Sequence, residues 1–431
     1  MRSQALKAPL RRPQFRRLAL SYAVNELGDW LGIVALSVLV YELTESALAT
    51  TALFLGTGFL PALLTPILVA RLERPAPRYV LPIVYAGEAA AFGVLALLAD
   101  HFSLAAVVAV ATLDGALALS ARALTRAVAA AMLQEEGELR AGNAILNIAF
   151  TGGAAIGPAI AGAVVAAFGV QSALLLDAAS FYAIAWILFT GGHLPQAEPE
   201  PGHLRERLRA GIAYIGGHPT LRRLLAAQAA AFVFFAAVLP VEVIYAKETL
   251  EAGDTGYGLL LGSWGAGMVS GSVVFAALRR AALPTLILFS TLAIGLGYLA
   301  MAAAPTLAVA CAAAALGGAG NGVQWVALVS AVQDLTKPSM QARVMSVLES
   351  SGAAMPGIGF VLGGLIAATV GTRATFLTAG LGVMAIVALF APLLGETWKS
   401  AEEAADSSES SARPRDLDAD DEIMVELIPR G

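Results

Sequence analysis

One cysteine, Cys311, occurs in 431 residues, which excludes an intramolecular disulfide; set in an alanine run, it reads as a small core residue. Histidine is nearly as scarce. His101, His193, His203 and His218 fall at predicted loops or helix ends, so neither a metal site nor an HExxH metalloenzyme is visible. A GxxxxGK[ST] loop is missing too, which removes ATP hydrolysis as an energy source. Gly56-Thr57-Gly58 lies inside an apolar run and is no phosphate cradle. Charged residues make up only 14% of the chain, where a soluble protein carries about a quarter. Apolar residues fill their place: 58% of the chain is hydrophobic and the mean hydropathy is +0.74. Many runs approach the roughly 20 residues needed to cross a bilayer. The chain is therefore expected to be a polytopic helical membrane protein. No cleavable signal peptide is expected, because the first apolar segment leads directly into a second.

Twelve spans are predicted, at 17–41, 46–70, 79–99, 103–126, 141–168, 172–191, 221–246, 256–278, 283–303, 305–333, 343–370 and 373–395. Basic residues set their orientation. Arg2, Lys7, Arg11, Arg12, Arg16 and Arg17 precede the first span, and Arg71, Arg74 and Arg78 follow the second. Arg205, Arg207, Arg209, Arg222 and Arg223 follow the sixth, and Arg279 and Arg280 the eighth, whereas the loops on the other side hold only Lys247 and Arg373. Both termini are expected in the cytoplasm, with the chain in a bacterial inner or plasma membrane.

The predicted organisation is a basic N-terminus (1–16), a six-helix half (17–192), a cytoplasmic linker (193–219), a second six-helix half (220–395) and a tail (396–431). In the linker Leu204, Leu208 and Ile212 fall four apart, so it reads either as an amphipathic helix on the cytoplasmic face or as a solvated connector. The tail holds eleven Asp/Glu against four Lys/Arg, a formal charge of −7, and is expected to be disordered. The halves echo one another. Ala161-Gly162 and Val165-Ala-Ala-Phe-Gly169 return as Gly363-Gly364 and Ala367-Ala-Thr-Val-Gly371, with Gly162/Gly364 and Gly169/Gly371 at one offset of 202 residues. A parallel repeat of this kind implies a pseudo-two-fold axis along the membrane normal, with substrate between the halves.

Within the predicted fifth span, Gly153, Gly157 and Ala161 recur every four residues, and Gly162 follows. On a helix they form one smooth stripe that lets a neighbouring backbone approach closely. Pro158 removes one helical hydrogen bond and predicts a bend there. The stripe reads either as simple packing or as the sliding surface of a moving part. Its expected partner is the eleventh span near Gly363 and Gly364.

These residues resemble the major facilitator superfamily over nearly all of 10–395. The block Phe15-Arg-Arg-Leu…Glu26-Leu-Gly28-Asp29-Trp30…Val40-Tyr-Glu-Leu-Thr44 is similar to the macrolide-efflux and siderophore-exporter branch. Gly153-x₃-Gly157-Pro158-x₂-Ala161-Gly162 resembles the antiporter motif of that superfamily's fifth helix, with Ala144 and Ala161 replacing two of its glycines. The resemblance implies an all-α fold of twelve transmembrane helices in two pseudo-symmetric halves, and proton-driven export. In the family's gate loop, Pro66 and Ala70 replace the Gly and Asp, leaving Arg71 and Arg74. The second-half copy keeps Gly271, Arg279 and Arg280 but has Phe275 at the acidic place.

Ionisable groups inside a span are costly and point to function. Glu26 and Asp29, three apart, share a helix face. Carboxyls that share an apolar face compete for one charge, the condition a proton-coupling site needs. The alternative is a packing role, with hydrogen bonds to Asn25 or Tyr22. Asp114, Arg122 and Arg126 fall at multiples of four on the fourth span. Arg122 either pairs with Glu26 or Asp29 or snorkels to the interface, as is expected of Arg126. Glu88 and Asp177 lie on helices that are peripheral in the resembled fold and read as structural. Glu242, Asn321, Gln324 and Trp325 are candidates for a substrate cavity, and Asn143, Asn147 and Glu349 for an inner gate. Phe232, Phe234, Phe235 and Tyr245 offer stacking surface. The reading reached from sequence is a proton-coupled exporter of a small amphipathic or hydrophobic compound, with protons, substrate and lipid as partners. It is expected to be monomeric, with no nucleic acid, cofactor or metal. The alternatives are uptake or lipid flipping by the same fold, or a non-transporting scaffold or sensor.

Overall fold

The computed structural model describes residues 8–72, 77–133, 138–191, 194–195, 204–278, 281–390 and 392. Every element among them is a helix. In the first half these are α1 (Pro13–Thr44), α2 (Ala47–Phe54 continued through a π-helical turn, Leu55–Phe59, into Leu60–Leu72), α3 (Pro77–Asp100) and α4 (Leu104–Leu133). A single run, Leu139–Thr190, follows. At 1.5 Å per residue it is far too long for one crossing, and Gly169 (φ 80°, ψ 165°) breaks it into two arms, α5 (139–168) and α6 (170–190). A linker helix, Leu204–Gly216, leads to the second half: α7 (Pro219–Thr249), α8 (Gly253–Ala277), α9 (Leu283–Ala303), α10 (Leu307–Asp334), α11 (Gln341–Thr369) and α12 (Thr372–Phe390). This makes twelve crossings and an all-α bundle of two halves.

Local chemistry sets the ends. Proline at the first turn opens α1 and α7, where its missing N–H is not needed. The hydroxyls of Ser46 and Thr306 accept the backbone N–H of Ala49 and Val309 to cap α2 and α10. Gly371 (φ 113°) turns α11 into α12 just as Gly169 turns α5 into α6. Both positions need a backbone that L residues rarely adopt, so the repeat visible in sequence is also a repeat of hairpin geometry. The backbone stays helical through Pro158, and the break comes at Gly169 instead.

Odd-numbered spans end, and even-numbered spans begin, at the face away from the termini, called here the far face. The halves pack together on that side. α5 lies on α8: a Cβ at Gly162 would sit 2.7 Å from the carbonyl oxygen of Asp254, and one at Gly262 would sit 3.1 Å from Ala159. α11 lies on α2 in the equivalent way, with Gly364 against Thr51 and Phe54 meeting Phe360 at 5.6 Å between ring centres. The partner of the α5 glycine motif is therefore α8, not α11. The stripe is in fact two adjacent stripes. Gly153 and Gly157 face Glu26 and Trp30 of α1 within their own half, whereas Ala154, Pro158 and Gly162 face α8 across the interface.

Continued towards the termini, the α8-facing stripe of α5 becomes Asn147 and Asn143, and the α2-facing stripe of α11 becomes Glu349; all three are exposed. The halves thus close at the far face and part at the terminal face. Around the outside, Ile83, Leu97, Trp186, Phe189, Val273, Phe289 and Leu389 are exposed, the apolar belt that lipid requires.

Candidate functional site

Half-way along α1 and α4, Arg122 holds two carboxylates at once. Its Nε lies 3.1 Å from Glu26 Oε1, and its Nη2 donates to Asp29 Oδ2 at 2.9 Å and to Glu26 Oε2 at 3.2 Å. Asn25 donates to Asp29 Oδ2 at 3.1 Å, and the guanidinium sits 5.5 Å from the Phe150 ring centre. Exposure separates the two acids: the Asp29 side chain is 25% exposed and that of Glu26 only 2%. Glu26 is thus the inner anchor and Asp29 the accessible member. Arg126 does not simply snorkel, because its Nη2 donates to the Tyr22 hydroxyl at 3.2 Å.

Glu88 and Asp177, which the resemblance puts on peripheral helices and reads as structural, lie near the same carboxylates. Both are fully buried. Glu88 interacts electrostatically with Asp114, Asp29 and Asp177, and Asp114 with Asp29. Both oxygens of Glu88, Asp114 Oδ1 and Asp177 Oδ2 are buried without a hydrogen-bond partner among the described residues. Asp177 reaches in because a Cβ at Gly32 would lie 3.1 Å from its Oδ2, and one at Gly28 would collide with its other oxygen. The signal available in sequence was this pair of glycines, four apart on α1.

Between the halves, nearer the far face, lies a cavity of about 130 Å³. Its walls carry the rings of Trp30, Phe54, Phe235, Tyr257, Trp264 and Tyr298, and its carboxylate is Glu242, buried in α7. Of the four cavity candidates, Glu242 therefore reaches the space between the halves. Gln324 does not: its amide donates to Gln228 Oε1, and both line a separate cavity of about 200 Å³ inside the second half. Trp325 is 40% exposed and tilted against Phe232, and Asn321 is partly buried. Phe234 is covered within the second half, where it fills the space over Gly382. Tyr245 is buried there too, donating to the Met301 carbonyl.

Beyond the cavity the far face is tied by charge. Lys247 of α7 meets Glu42 of α1 at 2.6 Å and Asp254 of α8 at 2.7 Å, and the Tyr41 hydroxyl donates to Glu248. Of the gate-loop candidates, Arg71 is exposed, while Gly271 packs against the Ala319 backbone of α10 and is a helix contact rather than a loop. Arg74, Arg279 and Arg280 lie outside the described residues, as does the acidic tail. Among the described residues no cluster of His, Cys, Asp and Glu could hold a metal.

Over residues 4–424 the chain matches the family described as transmembrane secretion effector. No curated protein matches it. Among solved structures it is similar to a bacterial homologue of the human lysosomal transporter Spinster in an inward-facing and occupied conformation. That likeness has 14% identity and a TM-score of 0.70, over 90% of this chain and 97% of the other. A POT family transporter bound to a thioalcohol-conjugated peptide gives the same TM-score, 0.70, at 14% identity over 88% of this chain and 96% of that one. A bacterial homologue of the iron transporter ferroportin, also inward-facing, gives 0.67 at 16% identity over 88% and 98%. At such identities the likeness is one of fold.

Proposed function

Starting from a chain that belongs to the transmembrane secretion effectors and has the major facilitator fold, we propose that it is a proton-coupled exporter of a small amphipathic compound, working by alternating access between its two halves. The excess of arginine at the terminal face puts that face in the cytoplasm, in a cell membrane whose protons supply the drive. The interface described above, parted at the terminal face and sealed at the far one, is then the state that loads from the cytoplasm.

The observation that carries the reading is Arg122 between Glu26 and Asp29. Two carboxylates against one guanidinium leave one net negative charge in mid-span, which is costly unless a proton or a cation offsets it. Asp29, partly exposed, takes and releases that proton, while Glu26 keeps α1 and α4 joined through Arg122. A proton on Asp29 removes one arm of the bridge and changes the charge that the cavity presents. A gradient can shift the balance between two conformations only through a group whose affinity differs between them, and Asp29 is placed to be that group.

Purified protein in liposomes, with an imposed pH gradient and a panel of lipophilic cations, macrocycles and siderophores, tests this. Accumulation of a panel compound on the acidic side, abolished by a protonophore, is expected. Flux in the direction of the proton would mean uptake. Transbilayer movement of labelled lipid alone would mean flipping. No flux of any compound would return the chain to the scaffold reading.

A further inference from the structure

Three buried polar atoms in the cavity between the halves have no hydrogen-bond partner among the described residues: Glu242 Oε2, Trp264 Nε1 and the Tyr298 hydroxyl. All three residues line the same 130 Å³ space. Glu242 is 6% exposed and Tyr298 1%. A buried polar group without a partner is expensive to keep, and three around one void describe the missing partner. The carboxylate needs a donor or a positive charge. The indole N–H needs an acceptor, and so does the phenol O–H.

The rest of the wall agrees. Trp264 stacks on Tyr298 at 5.3 Å between ring centres with 13° between planes, and Phe235 tilts against Trp264 at 5.7 Å. Together with Trp30, Phe54 and Tyr257 they present ring faces, which attract cations and accept apolar surface alike. Among the described residues no Lys, Arg or His lines the cavity. Arg122 is committed to Glu26 and Asp29, so no cation of the cavity's own neutralises Glu242.

Resting on the transport reading above, we infer that this cavity is the substrate subsite and that its substrate is an aromatic or otherwise apolar amine, positively charged, carrying an oxygen acceptor. The ammonium group bonds Glu242, the apolar body lies among the rings, and the oxygen accepts from Trp264 and Tyr298. Anions are excluded by Glu242. Neutral isosteres lose the strongest contact and leave the carboxylate unpaired, the asymmetry that lets a polar site discriminate strongly.

The probe is 4-methoxybenzylamine, with 4-methoxybenzyl alcohol as its uncharged counterpart of the same size. Equilibrium dialysis of the radiolabelled compounds against the purified full-length protein, with no pH gradient, reads binding independently of transport. The amine is expected to bind at least tenfold more tightly than the alcohol. Glu242→Gln is expected to remove that preference, and Trp264→Phe to weaken both probes severalfold. A thermal unfolding midpoint within a few degrees of wild type identifies a folded variant; if Glu242→Gln does not fold, Tyr298→Phe, which removes a single hydroxyl, is expected to weaken amine and alcohol alike severalfold, and undiminished binding of both by that variant overturns the inference. Equal binding of amine and alcohol by the wild type, binding of neither, or an undiminished preference in Glu242→Gln each overturns the inference. Selective binding of the amine without pH-driven flux of any compound would overturn the transport reading and leave the cation site standing. Flux of other compounds without binding of the amine would do the reverse.

Discussion

Gly162 of α5 and Gly258 of α8 meet so closely that a Cβ added to either would lie 2.8 Å from the other's Cα. They come from different halves, and what stands in the way is helix backbone, which cannot swing aside. Gly162→Ala is therefore expected to prevent full closure at the far face. Spin-label distances between the far ends of α1 and α8 should lengthen, and transport should fall at least tenfold. Gly152→Ala, where a Cβ meets nothing within 4 Å, is the control and should transport normally. Equal activity of the two variants would show that this contact does not move.

Gly157→Leu tests the other stripe. A Cβ there already lies 2.9 Å from Trp30, inside the first half. Overpacking of this kind costs about 1–3 kcal/mol. The expected result is a lowered unfolding midpoint and poorer folded yield, without a change in the spin-label distances across the interface.

Asp29→Asn fixes the accessible acid in a neutral form of nearly the same volume. Exchange of substrate across liposomes should survive, because both conformations remain, while accumulation driven by a pH gradient should fall at least tenfold. Glu26→Gln should instead weaken the join between α1 and α4 and lower stability together with activity. Full pH-driven accumulation by Asp29→Asn would move the coupling site to Asp114 or Glu88.

Arg122→Ala removes the counter-charge of Glu26, whose side chain is 2% exposed. Breaking a buried pair from one side costs about 3–5 kcal/mol. The variant is expected to fold poorly, and Arg122→Ala with Glu26→Gln to recover much of the lost unfolding midpoint. If the double variant is no more stable than the single one, the pair is not what holds α1 to α4.

Lys247→Ala cuts the ties to Glu42 and Asp254 at the far face. Glu42 is half exposed, and its bond is worth only about 0.2–1 kcal/mol. Opening of the far side, read as labelling of a cysteine at position 51 in a Cys311→Ser background, should rise by a few-fold at low salt and by less at high salt. An effect independent of salt would mean that packing, and not charge, holds this face.

Periodicity carries a helix's faces but not its neighbours, and this divides what was legible from what was not. The twelve crossings, the repeat at 202 residues and the shared face of Glu26 and Asp29 follow from spacing alone. That α8 rather than α11 covers the α5 motif does not, because Gly258, Gly262 and Gly265 are as smooth in sequence as Gly363 and Gly364. Glu88 and Asp177 reach the Arg122 region from separate helices, and only Gly28 and Gly32, which make room for Asp177, hinted at it. Gln228 and Gln324 pair across 96 positions, a distance over which no local pattern runs.

The linker helix is fastened to the second half: a Cβ at Gly211 would lie 2.6 Å from the Arg343 carbonyl, and the Lys337 backbone N–H donates to the Tyr214 hydroxyl at 3.2 Å. It therefore travels with α11. Leu194 is buried in the core of the first half, so the covalent connection between the halves shrinks to the ten residue steps from Leu194 to Leu204, about 35 Å at full extension. Among the described residues, the contacts that set the angle of the two bodies are those of α5 on α8 and of α11 on α2. Cutting the connection between 196 and 203 should leave a working pair, held together by the glycine seams and the ion pairs of the far face.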